Sequence, residues 1–503
     1  MDLTQEIPMV NILDKEIPQE VIKKLPAKFV NRYRVIPIKM DNNTLTIATS
    51  DPLELHILED IGLLLGCKIE VILSFPEEID HALQKYYGAG AQTVQEIISG
   101  IEEKKIIEPD KEVTTDLDSL AHEAPVIKIV NLIIMDAVKK KASDIHIESF
   151  ESEMVVRYRI DGVLYDIPPP PKWLYPAIIS RIKLMAEMNI AERRLPQDGR
   201  IQLKVGGKQI DMRVATLPTL YGESLVIRIL EKESILLGLE ELGFEEYVLE
   251  EFKKLINKPN GIILVTGPTG SGKTTTLYAA LNKINSLEKK IITIEDPIEY
   301  QLKRINQLQV KPKIKFGFAQ GLRSMLRQDP DIMMVGEIRD LETAEVAVQA
   351  ALTGHLVFST LHTNDAASAI TRLHDMGVED FLISSTVIGI LAQRLVRIIC
   401  TECREEYLPK PDLVREFHTK TLLKGRGCEN CNYSGFKGRT GIFELLVVND
   451  EIRDLILQKT NASKIKKQAV KLGMKTMRDD GFQKVQRGLT TIEEVLRVAQ
   501  EES

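Results

Sequence analysis

The chain reads as a multidomain α/β protein built round a parallel sheet, and three observations predict this. Its 503 residues are too many for one ordinary core and suit three or four domains. From position 262 onward, short apolar runs alternate with helix-patterned stretches, which implies parallel strands covered on both faces. One strand-to-helix junction carries Gly267-Pro268-Thr269-Gly270-Ser271-Gly272-Lys273-Thr274-Thr275, a glycine-rich loop of the kind that cradles phosphates.

Residues 1–88 alternate helical and extended patterns: a helix over 19–30, strands over 33–38 and 45–48, a helix over 53–65 and a strand over 68–73. They make a small α/β unit whose own chemistry is not legible. Residues 89–123 turn acidic and poor in aromatics. Such a stretch buries too little apolar surface to offset its ordering entropy, so a flexible linker is expected.

A second unit, 124–235, opens with an apolar-periodic helix over 126–138 that ends in three lysines, where cations suit a helix C-terminus. Strands follow over 144–148 and 154–160, with a turn at Asp161-Gly162. A proline spacer, a helix over 174–186, a hairpin over 200–215 turning at Gly206-Gly207 and a strand over 225–230 complete it. The third unit, 236–396, strings strands over 262–266, 291–294, 332–335 and 356–360 between helices over 318–327, 341–352 and 365–375. Ligands of such sheets bind beyond the carboxyl ends of the strands, where the polar clusters of this unit fall. Residues 446–503 read as a helical region.

Bulk charge narrows the partners. With 66 basic against 73 acidic residues the net charge is −7, and no Lys/Arg run or basic stripe interleaved with aromatics appears, which weighs against nucleic acid. No window reaches the roughly eighteen consecutive apolar residues of a membrane span, and the opening Met1-Asp2-Leu3-Thr4 lacks the regions of a signal peptide, so a cytoplasmic protein is expected. Four of the five cysteines form two Cys-x-x-Cys pairs, Cys400/Cys403 and Cys428/Cys431. In a reducing compartment this set holds Zn²⁺ tetrahedrally with no open position, so the metal would be structural.

In the phosphate loop, inward-turned N–H groups and the helix N-terminus hold the polyphosphate, Lys273 reaches the β- and γ-phosphates, and the Thr274 hydroxyl ligates Mg²⁺. The substrate implied is ATP. Glu295 follows one strand in Glu295-Asp296-Pro297, and Glu337 follows the next in Gly336-Glu337. Hydrolysis needs a base to orient water and acids to organise the metal, so Glu337 is assigned the base and Glu295 the metal or water organiser. Asp296 belongs to the same acidic cluster, with a turn or helix-cap role as the alternative. His362, past the end of the 356–360 strand, is placed to sense the γ-phosphate, whereas His355, at its start, suits a structural role as well as a functional one. Arg323 and Arg327, one helical turn apart, could reach phosphate or a neighbouring subunit.

Taken in order, the phosphate loop, Ile294-Glu295-Asp296-Pro297-Ile298-Glu299, Asp329-Pro330-Asp331-Ile332-Met333-Met334-Val335-Gly336-Glu337, Gly354-His355 to Thr363-Asn364, Ala392-Gln393-Arg394-Leu395 and the cysteines closely resemble the type II secretion and type IV pilus assembly ATPases. The resemblance covers about 124 to the end and, more weakly, 1–88. It implies a RecA-like P-loop ATPase domain (236–396), preceded by a PAS-like α+β domain (124–235) and a small partner-docking domain (1–88). A zinc-binding subdomain (397–445) and the helical tail would follow. It also implies a hexamer in which the second domain of one subunit closes over the nucleotide of the next and supplies arginines in trans; Arg200 and Arg213 match best. Implied partners are an inner-membrane platform protein that adds pseudopilin or pilin subunits and a membrane-anchored docking protein. Residues 347–353 and 370–376 look more like the secretion branch than the pilus branch. Rival readings are a nucleic-acid translocase and a non-hydrolysing nucleotide-gated scaffold. Some relatives bind cyclic-di-GMP through the first domain; this chain lacks the Arg-Leu-Gly signature of that motif and no such ligand is assigned.

Overall fold

The structure, a computed structural model, describes residues 17–25, 35–41, 44–50, 65–76, 78–79, 124–205, 208–231, 237–408 and 421–499, with single positions 10, 12, 30 and 82. The expected helix over 53–65 lies outside them but for its last residue, and the linker over 89–123 lies outside them entirely. The chain divides into two compact units, Met1–Glu233 and Ser234–Ser503. No helix among the described residues is long and apolar enough to cross a membrane.

In the first unit, α1 (Gln19–Lys24) precedes β1 (Val35–Asp41), β2 (Thr44–Thr49) and β3 (Lys68–Leu73). β2 pairs antiparallel with β1 and parallel with β3. Val35, Ile36, Leu45 and Ile47 are fully buried there.

A second sheet of the same unit comprises β4 (Asp144–Ser149), β5 (Met154–Ile160), β6 (Val163–Ile167), β7 (Gln197–Val205), β8 (Lys208–Thr219) and β9 (Gly222–Glu231). Its order is β6-β5-β4-β9-β8-β7, antiparallel throughout. β6 was not expected. Asp161 (φ 49°) and Gly162 (φ 87°) both take the left-handed region, which turns the chain into a tight two-residue hairpin. Helices α2 (Ala124–Lys139) and α3 (Tyr175–Met185) cover one face, where Ile129, Ile133, Ile178 and Ile182 join Ile145, Tyr158, Met212 and Ile227 in one core. The Tyr158 hydroxyl, buried in that layer, donates to the Ile133 carbonyl at 2.8 Å.

The second unit opens with α4 (Glu246–Ile256), β10 (Gly261–Thr266), α5 (Lys273–Ile284), β11 (Ile291–Glu295), β12 (Asn306–Gln309), α6 (Phe318–Met325) and β13 (Ile332–Val335). It continues through α7 (Leu341–Leu352), β14 (Leu356–Leu361), α8 (Ala366–Asp375), α9 (Asp380–Thr386) and β15 (Val387–Ile399). A short pair, β16 (Arg404–Tyr407) and β17 (Leu422–Gly425), precedes β18 (Phe436–Val447). The sheet runs β12-β11-β13-β14-β10-β15-β18, parallel except for the last pair. β10 is buried along its length, with Val248, Phe252, Leu277 and Tyr278 packed on one side of the sheet and Leu322, Ala347, Ala367 and Ile370 on the other.

Two expectations change here. The 318–327 helix keeps α-helical form only to Met325, then tightens to a 3₁₀ turn that Asp329 ends at φ 51°. A division at 396/397 would cut β15, and β18, expected in the cysteine segment, is the edge strand of the seven-stranded sheet. β15 and β18 pair from Gly389↔Val447 to Ile399↔Phe436, so the cysteine pairs lie just beyond the end of a long two-stranded ladder.

The tail forms α10 (Asp450–Leu457), α11 (Ala462–Lys471), α12 (Met477–Gln486) and α13 (Ile492–Val498). Asn449, Asn461, Thr476 and Thr491 each cap one helix by accepting from a first-turn N–H. Ile452, Ile456, Ile465 and Val485 join the core of the sheet, so the tail is part of this unit rather than an appendage.

Candidate nucleotide site

The loop between β10 and α5 wraps a cradle because three of its residues take backbone angles that side chains resist: Gly267 (φ 147°), Gly270 (φ 79°) and Gly272 (φ 88°). Gly272 sits at the N-cap of α5, so the free N–H groups of the first turn and the positive end of the helix dipole face the loop's hollow. Lys273 folds over it, its Nζ donating to the carbonyls of Gly267 (2.8 Å) and Pro268 (3.0 Å). Burial pulls this ammonium down to about 8; Glu337 opposes the shift and Arg394 adds to it. Thr274 is half-buried in the first turn of the same helix, and Thr275 bonds the side chain of Tyr300.

Glu337 and His362 meet here. β13 and β14 are neighbours in register, so Glu337, two residues past β13, and His362, one past β14, emerge at the same end of the sheet as the loop after β10. Glu337 Oε2 lies 3.5 Å from His362 Nε2, and its Oε1 is paired with Arg339. Burial, with Lys273 nearby, lowers the His362 pKa below its ordinary value, so the ring is neutral at pH 7. Gly336 donates its N–H to Ile294 O (2.8 Å) and accepts from Thr360 Oγ1 (2.7 Å). A Cβ there would lie 3.3 to 3.4 Å from Ile294 O, Glu295 Cα and the Phe318 ring, so a side chain at this position would need its neighbours to give by a few tenths of an ångström.

Glu295 is held by other residues of the unit. It ends β11 at the right edge of the sheet, but it is 3% exposed and its oxygens are occupied. Oε1 accepts from Thr293 Oγ1 (2.6 Å) and Gln307 Nε2 (3.1 Å), and Oε2 from the Tyr278 hydroxyl. The carboxylate ties β11 to α5 and β12. Asp296 beside it is exposed, and its charge helps hold the Arg339 pKa up, after the Glu337 hydrogen bond.

Arg323 pairs with Glu342 of α7 at 2.7 Å, and Arg327 donates to the Arg323 carbonyl at 3.0 Å; both are exposed. Among the described residues, their hydrogen bonds and ion pairs do not reach the loop. His355 Nδ1 lies 2.8 Å from the Ala350 carbonyl, at the end of β14 away from the loop. Gln393 and Arg394, noticed in the sequence only as part of a motif, touch the site directly. Gln393 Nε2 donates to Ser271 O (2.6 Å), and Arg394 Nη2 donates to Asn364 Oδ1 (2.9 Å). The signal was available, since a Gln-Arg pair interrupts an otherwise apolar run beside the strand that carries the loop.

Arg200 and Arg213 lie in the first unit, directly opposite one another on β7 and β8. The row goes on across the sheet: Arg213 faces Arg228, Arg228 faces Asp144 and Asp144 faces Arg159. Facing residues share a side of the sheet, and like charges set side by side repel. Asp144 offsets part of that repulsion, its oxygens 3.1 Å from Arg228 Nε and 3.6 Å from Arg159 Nε, and Asp211 accepts from Arg200 Nε at 2.6 Å. Four arginines from four strands thus come into one row, interrupted by Asp144, only once the sheet forms.

The four cysteines converge. Cys400–Cys428, Cys403–Cys431 and Cys428–Cys431 Sγ pairs are each 3.8 Å apart, and all four sulfurs lie within 4.8 Å of one another. A tetrahedron with Zn–S bonds of about 2.3 Å has edges of about 3.8 Å, so the donor set fits zinc. The N–H groups of Gly427 (to Cys403 Sγ, 3.2 Å), Cys428 and Gly435 (to Cys431 Sγ, 3.2 and 3.3 Å) point at the sulfurs, as suits thiolate charge.

A family model for type II/IV secretion system proteins matches residues 119–497, and a model for the MshEN domain matches residues 5–93. The chain is 48% identical over 490 residues to the type II secretion system protein E of Xanthomonas campestris pv. campestris, covering 95% of this chain and 85% of that one. It is 44% identical over 502 residues to the type IV pilus assembly ATPase PilB of Myxococcus xanthus, covering 97% and 88%. Among solved structures, the pilus retraction motor PilT with bound ADP matches with 30% identity and a TM-score of 0.51, over 74% of this chain and 97% of that one.

Proposed function

The chain belongs to the family of type II/IV secretion system proteins, and on that premise we propose that it is a hexameric ATP hydrolase that powers type II protein secretion by driving pseudopilus assembly. The observation that carries the chemistry is the meeting of the Lys273 loop, Glu337 and His362 at the ends of three adjacent parallel strands. Backbone N–H groups of 269–274 take the phosphates, and Lys273 exchanges its two carbonyl partners for phosphate oxygens. Thr274 would hold Mg²⁺, which, when bound, neutralises charge on the phosphates. Glu337 orients the attacking water once Arg339 lets go of it, and neutral His362 reports on the γ-phosphate. Arg200 and Arg213, in the arginine row, serve the nucleotide of an adjacent subunit. Arg323 and Arg327 are on the surface that a neighbouring subunit could meet.

Cys400, Cys403, Cys428 and Cys431 hold a structural zinc. The proposed partners are an inner-membrane platform protein and a membrane-anchored docking protein engaged by residues 1–88, which would keep a cytoplasmic motor at the membrane. A type IV pilus extension motor is the second reading, favoured by the 44% identity with PilB; restoring secretion or piliation in the corresponding deletion strain separates the two. The chemistry is tested by Glu337→Gln. This variant should bind ATP with near-normal affinity and release phosphate at least about a hundredfold more slowly. Normal turnover would overturn the assignment.

A further inference from the structure

The loop that binds phosphate is held from outside by a residue with no assigned role. Gln393 follows Ala392, which pairs with Thr266 at the end of β10, so it stands level with the start of the loop. It is 2% exposed and Ser271 3%. Its Nε2 donates to the Ser271 carbonyl at 2.6 Å. Its main-chain oxygen lies 2.5 Å from where a Cβ on Gly267 would sit, and its Nε2 lies 3.1 Å from where a Cβ on Gly272 would. One residue therefore spans the cradle from its first glycine to its last, and fills the space that those glycines leave.

The consequence follows from peptide geometry. The Ser271 carbonyl and the Gly272 N–H belong to one planar trans unit and point in opposite directions. Pinning the carbonyl toward β15 turns the N–H away from it, into the hollow. Lys273 also braces the loop through Gly267 O and Pro268 O. Those bonds are the ones it must surrender to reach a polyphosphate, whereas the bond from Gln393 survives the exchange.

We propose that Gln393 is a positioning residue for nucleotide binding, fixing the curvature of the 267–272 loop so that its N–H groups converge on the phosphates. The inference rests on the ATPase reading. Gln393→Met keeps the bulk and removes the donor. In the full-length protein it should weaken equilibrium binding of both ATP and ADP about tenfold, or 1.4 kcal/mol, while kcat at saturating ATP stays within a few-fold and the thermal midpoint is little changed. Gln393→Glu sets a carboxylate against the Ser271 carbonyl. Its affinity relative to wild type at the same pH should recover as the pH falls and the carboxylic acid regains a proton to donate, a response that mere packing would not give. Binding of both nucleotides by Gln393→Met within twofold of wild type would overturn the proposal; should that variant not fold, a pH-independent affinity ratio for Gln393→Glu would do so. If the wild-type chain bound nucleotide no better than Lys273→Ala, it is the ATPase reading itself that would fall.

Discussion

Lys273 shows how a single buried charge sets a pH dependence. In the nucleotide-free site burial holds its pKa at about 8, whereas a polyphosphate favours the ammonium and raises it. The bound value lies above the free value, so the charge contribution to affinity is complete below pH 8 and is lost as pH rises through that value. Affinity for ATP should fall by up to about tenfold per pH unit above 8, with uptake of a proton on binding. Titrations from pH 7 to 9.5 in buffers of different ionisation enthalpy would measure both, and a flat profile would contradict the lysine's placement. Residues of this loop were legible because their types follow from local backbone demands: left-handed angles at Gly267, Gly270 and Gly272. Glu295 was not, because β11 is buried on both faces and gives no alternation to say which way its last side chain points. Tyr278 and Gln307, which occupy its carboxylate, arrive from other elements.

At the scale of elements, strands and helices with a clean period emerged within a residue or two, as β13 and α7 did without error. The arm of β15 and β18 did not. Its two strands are separated by the cysteine segment, and Gly389, Gln393, Arg394 and Arg397 interrupt the apolar pattern of the first. Its far end is stapled to the tail: Glu494 of α13 accepts from Arg397 Nη2 at 2.7 Å. On β18, Phe443 donates its N–H at 2.8 Å to Asp480, fully buried on α12 and paired with Lys484 at 2.6 Å. The cysteine cluster closes the open end of this arm. About one zinc per chain is expected by elemental analysis. Cys403→Ser should lose it and lower the thermal midpoint, because metal affinity at a structural site is folding free energy. Unchanged zinc content in that variant would refute the ligand set.

Whole-molecule behaviour depends on the arginine row of the first unit. Each residue of that row was visible in the sequence, but their alignment depends on registers among β7, β8, β9, β4 and β5 that no local pattern specifies. If a neighbouring subunit's nucleotide is what this row serves, Arg213→Ala should assemble normally and hydrolyse ATP about a thousandfold more slowly or worse. Turnover per chain of the wild-type protein should also drop on dilution below the assembly concentration. Phosphate release measured beside sedimentation checks both, and near-normal turnover by Arg213→Ala, or by a dilute monomer, would retire the trans role.

The same alignment bears on how the protein behaves at the bench. A chain of net charge −7 would be expected to run through a cation-exchange resin. Yet three arginines side by side, with a fourth beyond Asp144 and with Asp211 against the first, make this sheet face locally more positive than the average charge suggests. Heparin, sulfated beads and stray oligonucleotides carried over from lysis are all polyanions that such a face attracts. Retention on such a matrix at low salt, released by modest ionic strength, would therefore report on this one sheet face and not on any genomic business of the molecule.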